Sequence, residues 1–544
     1  MKFQEISSMG VRGLIPLKFF HKYREIFLPI GIFLISFVVF LSYGMKAYLK
    51  KDNSIIIYAG QQMANGVPFY VSIFDIKSPF AYILAGVGVI ISRVIGWDDI
   101  ITIRLLFLLI SCLTVVSVFF LIKYLFDSSE VGLLSALLFL CFHGFSYYSA
   151  YGPRAKILML VFEILSIWAT AKKKWFWGAL IGSIAFLTWQ PMLIFPVLTI
   201  CLAFIQSTHK ERIWASLTST GGFMIPLVIT SLYFLSYSYN AFVSFLYGTL
   251  IFYLLYADRG TSKSFLGRIK DSLENPLFAI IEGFPAMMFF IVLGFVMIIF
   301  LFFLRRSNYN SFKEMVCEDS FMVIFGSFPV LVVFALIDFQ LFPDFLMFLP
   351  FVSVGCAKFL KSLLPYFKTC IANHHQDIYG LKRINPNRLY TLMILGIAIS
   401  FVFPAELMAY YRRTYYDNRY HQTLAYQQEQ AAKVLERFGE NISILCLGKP
   451  ELFVFLNRTN PSRYLFIMMG IDNYIHAVTP GGFEGWIQEI QGINPDLIAY
   501  GRTPSTPHTK KLKDWIDINY TSTQIGPWQL YVRNDIALDS LNLA

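Results

Sequence analysis

Residues 26–44 read IFLPIGIFLISFVVFLSYG, an uncharged run that follows directly on Arg24-Glu25. About 20 mostly apolar residues in a helix cross the hydrocarbon core of a bilayer. Extended to about Tyr48, the run is too long for the apolar core of a cleavable signal. Lys18, Lys22 and Arg24 stand before it, which places the N-terminus on the cytoplasmic side. The run reads as a signal-anchor span. Similar runs start near Pro79, Ile101, Val131, Ile157, Trp175, Pro191, Ile213, Pro276, Phe321, Phe345 and Tyr390, which with the first gives twelve candidates.

Composition leaves no room for a soluble protein. Of 544 residues, 56% are hydrophobic and only 15% charged, against about 25% charged in soluble domains. The net charge of +11 sits in short loops between apolar runs, which is the positive-inside pattern and excludes nucleic acid as the partner. Of the seven cysteines only Cys446 falls in the C-terminal region, so no disulfide framework staples that part.

The loops decide how many runs cross. Lys123, Lys172 to Lys174, His209 to Arg212, Arg305-Arg306 with Lys313, and Lys358 to Arg388 are expected to be cytoplasmic. The run from Ile101 then enters from outside, so Pro79–Ile95 cannot be a full crossing. It reads as an amphipathic or re-entrant helix on the outer face. Eleven crossings remain, with the N-terminus inside and the C-terminus outside. From about Arg412 the pattern changes to a small α/β domain, residues 412–544. Its helix-like runs are Leu424–Arg437, Phe483–Ile490 and Thr509–Ile518. Its strand-like runs are Ile442–Leu447, Tyr464–Met468, Leu497–Tyr500 and Trp528–Val532.

This topology collects polar residues on the outer face. The first outer loop holds Lys50-Lys51-Asp52-Asn53, then Gly66-Val67-Pro68-Phe69-Tyr70, then Asp75-Ile76-Lys77-Ser78-Pro79. A charge at the bilayer centre costs at least about 2.5–3.5 kcal/mol. Asp52, directly after a span, is therefore either a solvated interfacial carboxylate or a group at the lip of a groove. In the second case it can take the proton of an incoming hydroxyl.

An Asp just after the first span, fourteen residues before Gly-x-Pro-x-Tyr, followed by Asp-x-Lys-x-Pro, resembles the GT-C superfamily of membrane glycosyltransferases. The nearest likeness is to bacterial relatives of protein O-mannosyltransferase and lipid A aminoarabinose transferase. It covers roughly residues 26–360, with Gly144 to Trp168, Trp189-Gln190-Pro191 and Asp338 to Pro350 at recurring motif positions. The fold implied is a polytopic α-helical membrane module over residues 1–411 with a C-terminal α/β extracytoplasmic domain. The activity implied is inverting transfer of a sugar from a polyprenyl-phosphate carrier to a lipid, polysaccharide or protein hydroxyl on the outer face. The likeness also implies a bacterial inner membrane.

By the same resemblance Asp52 matches the catalytic carboxylate, and Asp75 and Lys77 match the pair that shapes the site. On residues alone, Asp75 and Lys77 equally suit a local ion pair at the start of the re-entrant helix. Lys156 stands in the second outer loop where relatives often carry an acid, so a divalent metal is left open and no cofactor is fixed. Arg154 and Lys156 suit the carrier phosphate, or snorkelling at a helix end. Gln340 and Asp344 are candidate lining residues, where relatives place Arg or His-Tyr. Arg259, Lys263, Arg268 and Lys270 equally suit an interfacial element facing membrane lipid phosphates and a stabilised peripheral loop. Glu163 and Glu282 lie inside apolar runs and His374-His375 in a cytoplasmic loop without further ligands. Two rival readings are a flippase for lipid-linked saccharides and a non-catalytic assembly protein. Against the first, no paired repeats are visible and the candidate charges gather at one face.

Overall fold

The computed structural model describes residues 17–255, 288–337, 342–374, 386–414 and 423–536. Gln340, Arg259 to Lys270, Glu282 and His375 lie outside the described residues. Helices dominate. In chain order they are α1 (Leu17–Tyr43), α2 (Lys51–Ala64), α3 (Phe80–Ile95), α4 (Asp99–Phe126), α5 (Ser129–Leu140), α6 (His143–Ala150), α7 (Ala155–Ala171) and α8 (Trp175–Thr188). They continue with α9 (Ile194–Gln206), α10 (Arg212–Tyr237), α11 (Tyr239–Leu246), α12 (Met288–Ser307), α13 (Phe312–Glu318), α14 (Met322–Ile337), α15 (Leu349–His374) and α16 (Pro386–Arg412).

Each expected apolar run coincides with a helix where it is described, and the chain is an integral membrane protein. Among the described residues six helices are long and apolar enough to cross a bilayer, or eight if two bent pairs each count as one span. The bent pairs are α5 with α6, at 68°, and α13 with α14, at 106°. Helix α3 has 16 residues, about 24 Å at the helical rise, short of a full crossing. It packs along α2, where Gly60 permits the approach. A β-carbon at Gly60 would stand 2.8 Å from the Ala85 carbonyl carbon.

After α16 come α17 (Leu424–Phe438), β1 (Ile444–Leu447), α18 (Pro450–Leu456), α19 (Ile471–Val478), α20 (Gly482–Ile493), β2 (Leu497–Tyr500), α21 (Pro507–Asn519), β3 (Tyr520–Ile525) and β4 (Trp528–Arg533). The strands form one sheet in the order β1-β2-β4-β3, with β1 parallel to β2 and the other pairs antiparallel. The expected strand at Tyr464–Met468 is absent, although the segment is largely buried. The Asn460 side chain takes its place on β1. Its Oδ1 accepts from Cys446 N–H at 2.8 Å and its Nδ2 donates to the Cys446 carbonyl at 3.3 Å.

The C-terminal part does not hang as a separate bead. One hydrophobic core runs from α2 and residues 69–76 into β1, α18, α19 and α20. Phe74 stacks on Tyr474, ring centres 4.3 Å apart, and its N–H donates to the Arg463 carbonyl at 2.8 Å. The Tyr58 hydroxyl accepts from Asn460 N–H at 2.9 Å. The segment carrying Asp52 is thus enclosed on its far side by the C-terminal residues.

Candidate active site

Asp52 occupies the first turn of α2, where the helix dipole favours a carboxylate. Its side chain is 54% exposed, so it faces open space rather than the core. Across from it the α6–α7 corner brings Arg154, whose Nη2 stands 3.2 Å from the Asp52 carboxylate and whose guanidinium stacks 4.2 Å over Tyr148. Two residues on, Lys156 pairs with Asp344, which is 3% exposed, and lies 4.8 Å over the Trp189 ring. Lys77 completes the cationic rim. Its positive charge is the main influence holding the Asp52 carboxyl below its ordinary value. Partial burial opposes that effect, and Arg154, Lys156 and Lys51 reinforce it.

The loop carrying Lys77 is held from three sides. Tyr70 donates to the Lys77 carbonyl at 2.6 Å and also bonds Thr249 at 3.0 Å. Gln190, from the Trp189-Gln190-Pro191 motif, donates to the Ile76 carbonyl at 2.7 Å. Ser78 donates to the Phe186 carbonyl at 3.0 Å. Of the two readings of Asp75 and Lys77, the local ion pair is not formed among the described residues. Asp75 is fully buried and accepts from its neighbour Ile76 N–H at 2.7 Å and from the Tyr82 hydroxyl. A buried carboxylate satisfied by neutral donors, one on its own loop and one on α3, leaves the Lys77 charge to act on Asp52.

The structure therefore brings the charges of Lys77, Arg154 and Lys156 to bear on Asp52, with Asp344 paired to Lys156 and Asp75 as the buried anchor of the Lys77 loop. Among the described residues no group of three or more His, Cys, Asp or Glu side chains could hold a metal ion. The charges that act on Asp52 come from Lys77, Arg154, Lys156 and Lys51, cations that do not serve as ligands for a divalent ion. Glu163, fully buried on α7, has no partner on either carboxyl oxygen among the described residues and stands apart from these groups.

Three groups escaped the sequence. Arg104 is fully buried at the start of α4. It donates to the Ala47 carbonyl at 2.9 Å and the Gly152 carbonyl at 3.2 Å, stapling the segments that carry Asp52 and Arg154. An arginine within an apolar run was the available signal. Lys51 stands 3.3 Å from the Met468 sulfur and over the Phe466 ring, and burial lowers its pKa. Glu451 on α18 is buried, and one of its carboxyl oxygens has no partner among the described residues. Nothing local in the sequence marks it.

Residues 66–232 match the family model described as DolP-mannose mannosyltransferase. Among solved structures, the chain is similar to the archaeal oligosaccharyltransferase AglB from Archaeoglobus fulgidus in complex with an inhibitory peptide and a dolichol-phosphate. Identity is 12% and the TM-score 0.51, over 88% of this chain and 70% of that one. The apo form of the Archaeoglobus fulgidus oligosaccharyltransferase gives 11% and 0.51, over 87% and 69%. ArnT from Cupriavidus metallidurans in the apo state gives 12% and 0.49, over 95% and 99%. No curated protein matches by sequence. The oligosaccharyltransferase structures show a shared GT-C fold, and with the family match they bear out the resemblance read from the residues.

Proposed function

We propose that this GT-C glycosyltransferase transfers a single sugar, with inversion, from a polyprenyl-phosphate carrier to an acceptor hydroxyl on the outer face of a bacterial inner membrane. The observation that carries the reading is the half-exposed Asp52 carboxylate 3.2 Å from Arg154, with Lys77 the strongest of the positive charges acting on it. Lys77, Arg154 and Lys156 hold the phosphodiester of the donor and stabilise the charge that grows on it as the glycosidic bond breaks. Asp52 accepts the acceptor's proton as its oxygen bonds to the anomeric carbon, and polyprenyl phosphate leaves from the opposite face. An anion bound at the cationic rim screens the charges that depress Asp52. Its basicity therefore rises when the donor is in place. The matched family description supports mannose as the sugar.

The test uses the purified full chain in proteoliposomes with undecaprenyl-phosphate [14C]mannose and an envelope fraction as acceptor. The expected result is label leaving the prenyl carrier for an inverted product formed on the Asp52 side of the membrane. Label that remains on the carrier while the lipid exchanges leaflets would replace this reading with a flippase.

A further inference from the structure

We propose that Gln427 is a positioning residue that fixes the Asp52 carboxylate through the backbone of Leu49; the proposal rests on the assignment of Asp52 made above. Lys50 precedes α2 in an extended conformation and makes no side-chain cap bond, so no side-chain cap sets where α2 begins. The setting comes from 378 residues away. Gln427, fully buried on α17, accepts from Leu49 N–H at 2.6 Å through Oε1 and donates to the Leu49 carbonyl at 3.1 Å through Nε2. One side chain thus closes both backbone groups of a fully buried residue, as a neighbouring strand would.

The grip continues upstream. Leu424 N–H donates to the Lys46 carbonyl at 2.9 Å, and Ala47 pairs with Thr423 in an antiparallel bridge. Downstream the next three residues are Lys50, Lys51 and Asp52. From the other side of α2, the Asn53 side chain donates to the Tyr151 carbonyl, three residues before Arg154. The distance between the carboxylate and the cationic rim is therefore set by two anchors, one on each side of α2. Gln427 is the anchor supplied by the C-terminal residues. A glutamine alone among uncharged side chains of that length offers a donor and an acceptor in one plane.

The test compares the purified full chain with Gln427→Met and Gln427→Glu variants, using undecaprenyl-phosphate mannose as donor. Amide hydrogen exchange over residues 46–54 is followed in parallel. Gln427→Met keeps length and helix propensity but loses both bonds. Its kcat should fall at least about tenfold while the donor KM stays unchanged, because geometry and not binding is lost. Protection at Leu49 should be lost while that of β1, β2 and β4 is retained. Gln427→Glu keeps the acceptor for Leu49 N–H and should fall between Met and wild type. It carries the comparison if the Met variant does not fold. Unchanged protection at Leu49, or lost protection with wild-type kcat, overturns the proposal. An Asp52→Asn variant with wild-type activity would overturn the catalytic assignment instead, and hydrogen exchange would still report on the clamp.

Discussion

The Arg154 guanidinium stands 3.2 Å from the Asp52 carboxylate and joins the start of α2 to the start of α7. Asp52 is thereby an ionised group held among cations and open to solvent, which is the state required of an acceptor-side base before the donor arrives. A lone exposed ion pair would contribute little to stability. Its interest lies in the protonation state that the whole rim imposes.

The pH dependence of kcat/KM follows from that rim. Lys77 is the largest influence depressing the Asp52 pKa, with Arg154 a smaller one. Activity needs the ionised form, so the acid limb of the free enzyme should lie below the ordinary value of 3.8. Lys77→Met should move that limb upward, and Arg154→Gln should move it in the same direction by less. A limb that neither substitution displaces would remove Asp52 from the rate equation.

Glu451 should make stability fall with rising pH. Burial pushes its carboxyl up to about 7 from 4.5, and Lys449 and Lys51 only partly offset this. The folded chain then binds more protons than the unfolded chain between those two values, so stability is lost as pH rises through that window. Glu451→Gln removes the titration. Its apparent Tm should exceed that of wild type above pH 7 and approach it near pH 4.5. Parallel Tm profiles for the two proteins would contradict the assignment.

Lys156 and Asp344 should be coupled in stability. Lys156→Met takes the lysine away from a carboxylate that is 3% exposed, a change that costs about 3–5 kcal/mol at buried pairs. Asp344→Leu in the same chain should recover part of the loss. Single and double variants that unfold at the same temperature would show the pair to be incidental.

How much of this was legible in the residues depends on the range of the interaction. The spans are legible because a crossing needs a long apolar run, and the starts of α4, α10 and α16 lie within a few residues of the expected ones. Strand β2 was placed at Leu497–Tyr500, since a short buried run between polar turns has few other readings. The strand at Tyr520–Ile525 escapes because its four interior residues, Thr521 to Gln524, are all polar and give no apolar alternation. Tyr464–Met468 misled because β-propensity says nothing of an asparagine side chain already bonded to the neighbouring edge. Asp52, Lys77 and Arg154 carried local motif signals. Gln427 and Glu451 act on residues far away in the chain, and nothing in their own neighbourhoods marks them; Arg104 shows only as a charge within an apolar run.

The most direct test of the account is the rate of sugar release from undecaprenyl-phosphate mannose by wild type and by Asp52→Asn, measured on protein of equal apparent Tm. A positioned general base contributes about 10²–10⁴-fold, so the variant should lose at least about a hundredfold in kcat with its donor KM retained. A variant that turns over as fast as wild type would contradict Asp52 as the base and, with it, the mechanism built around the cationic rim.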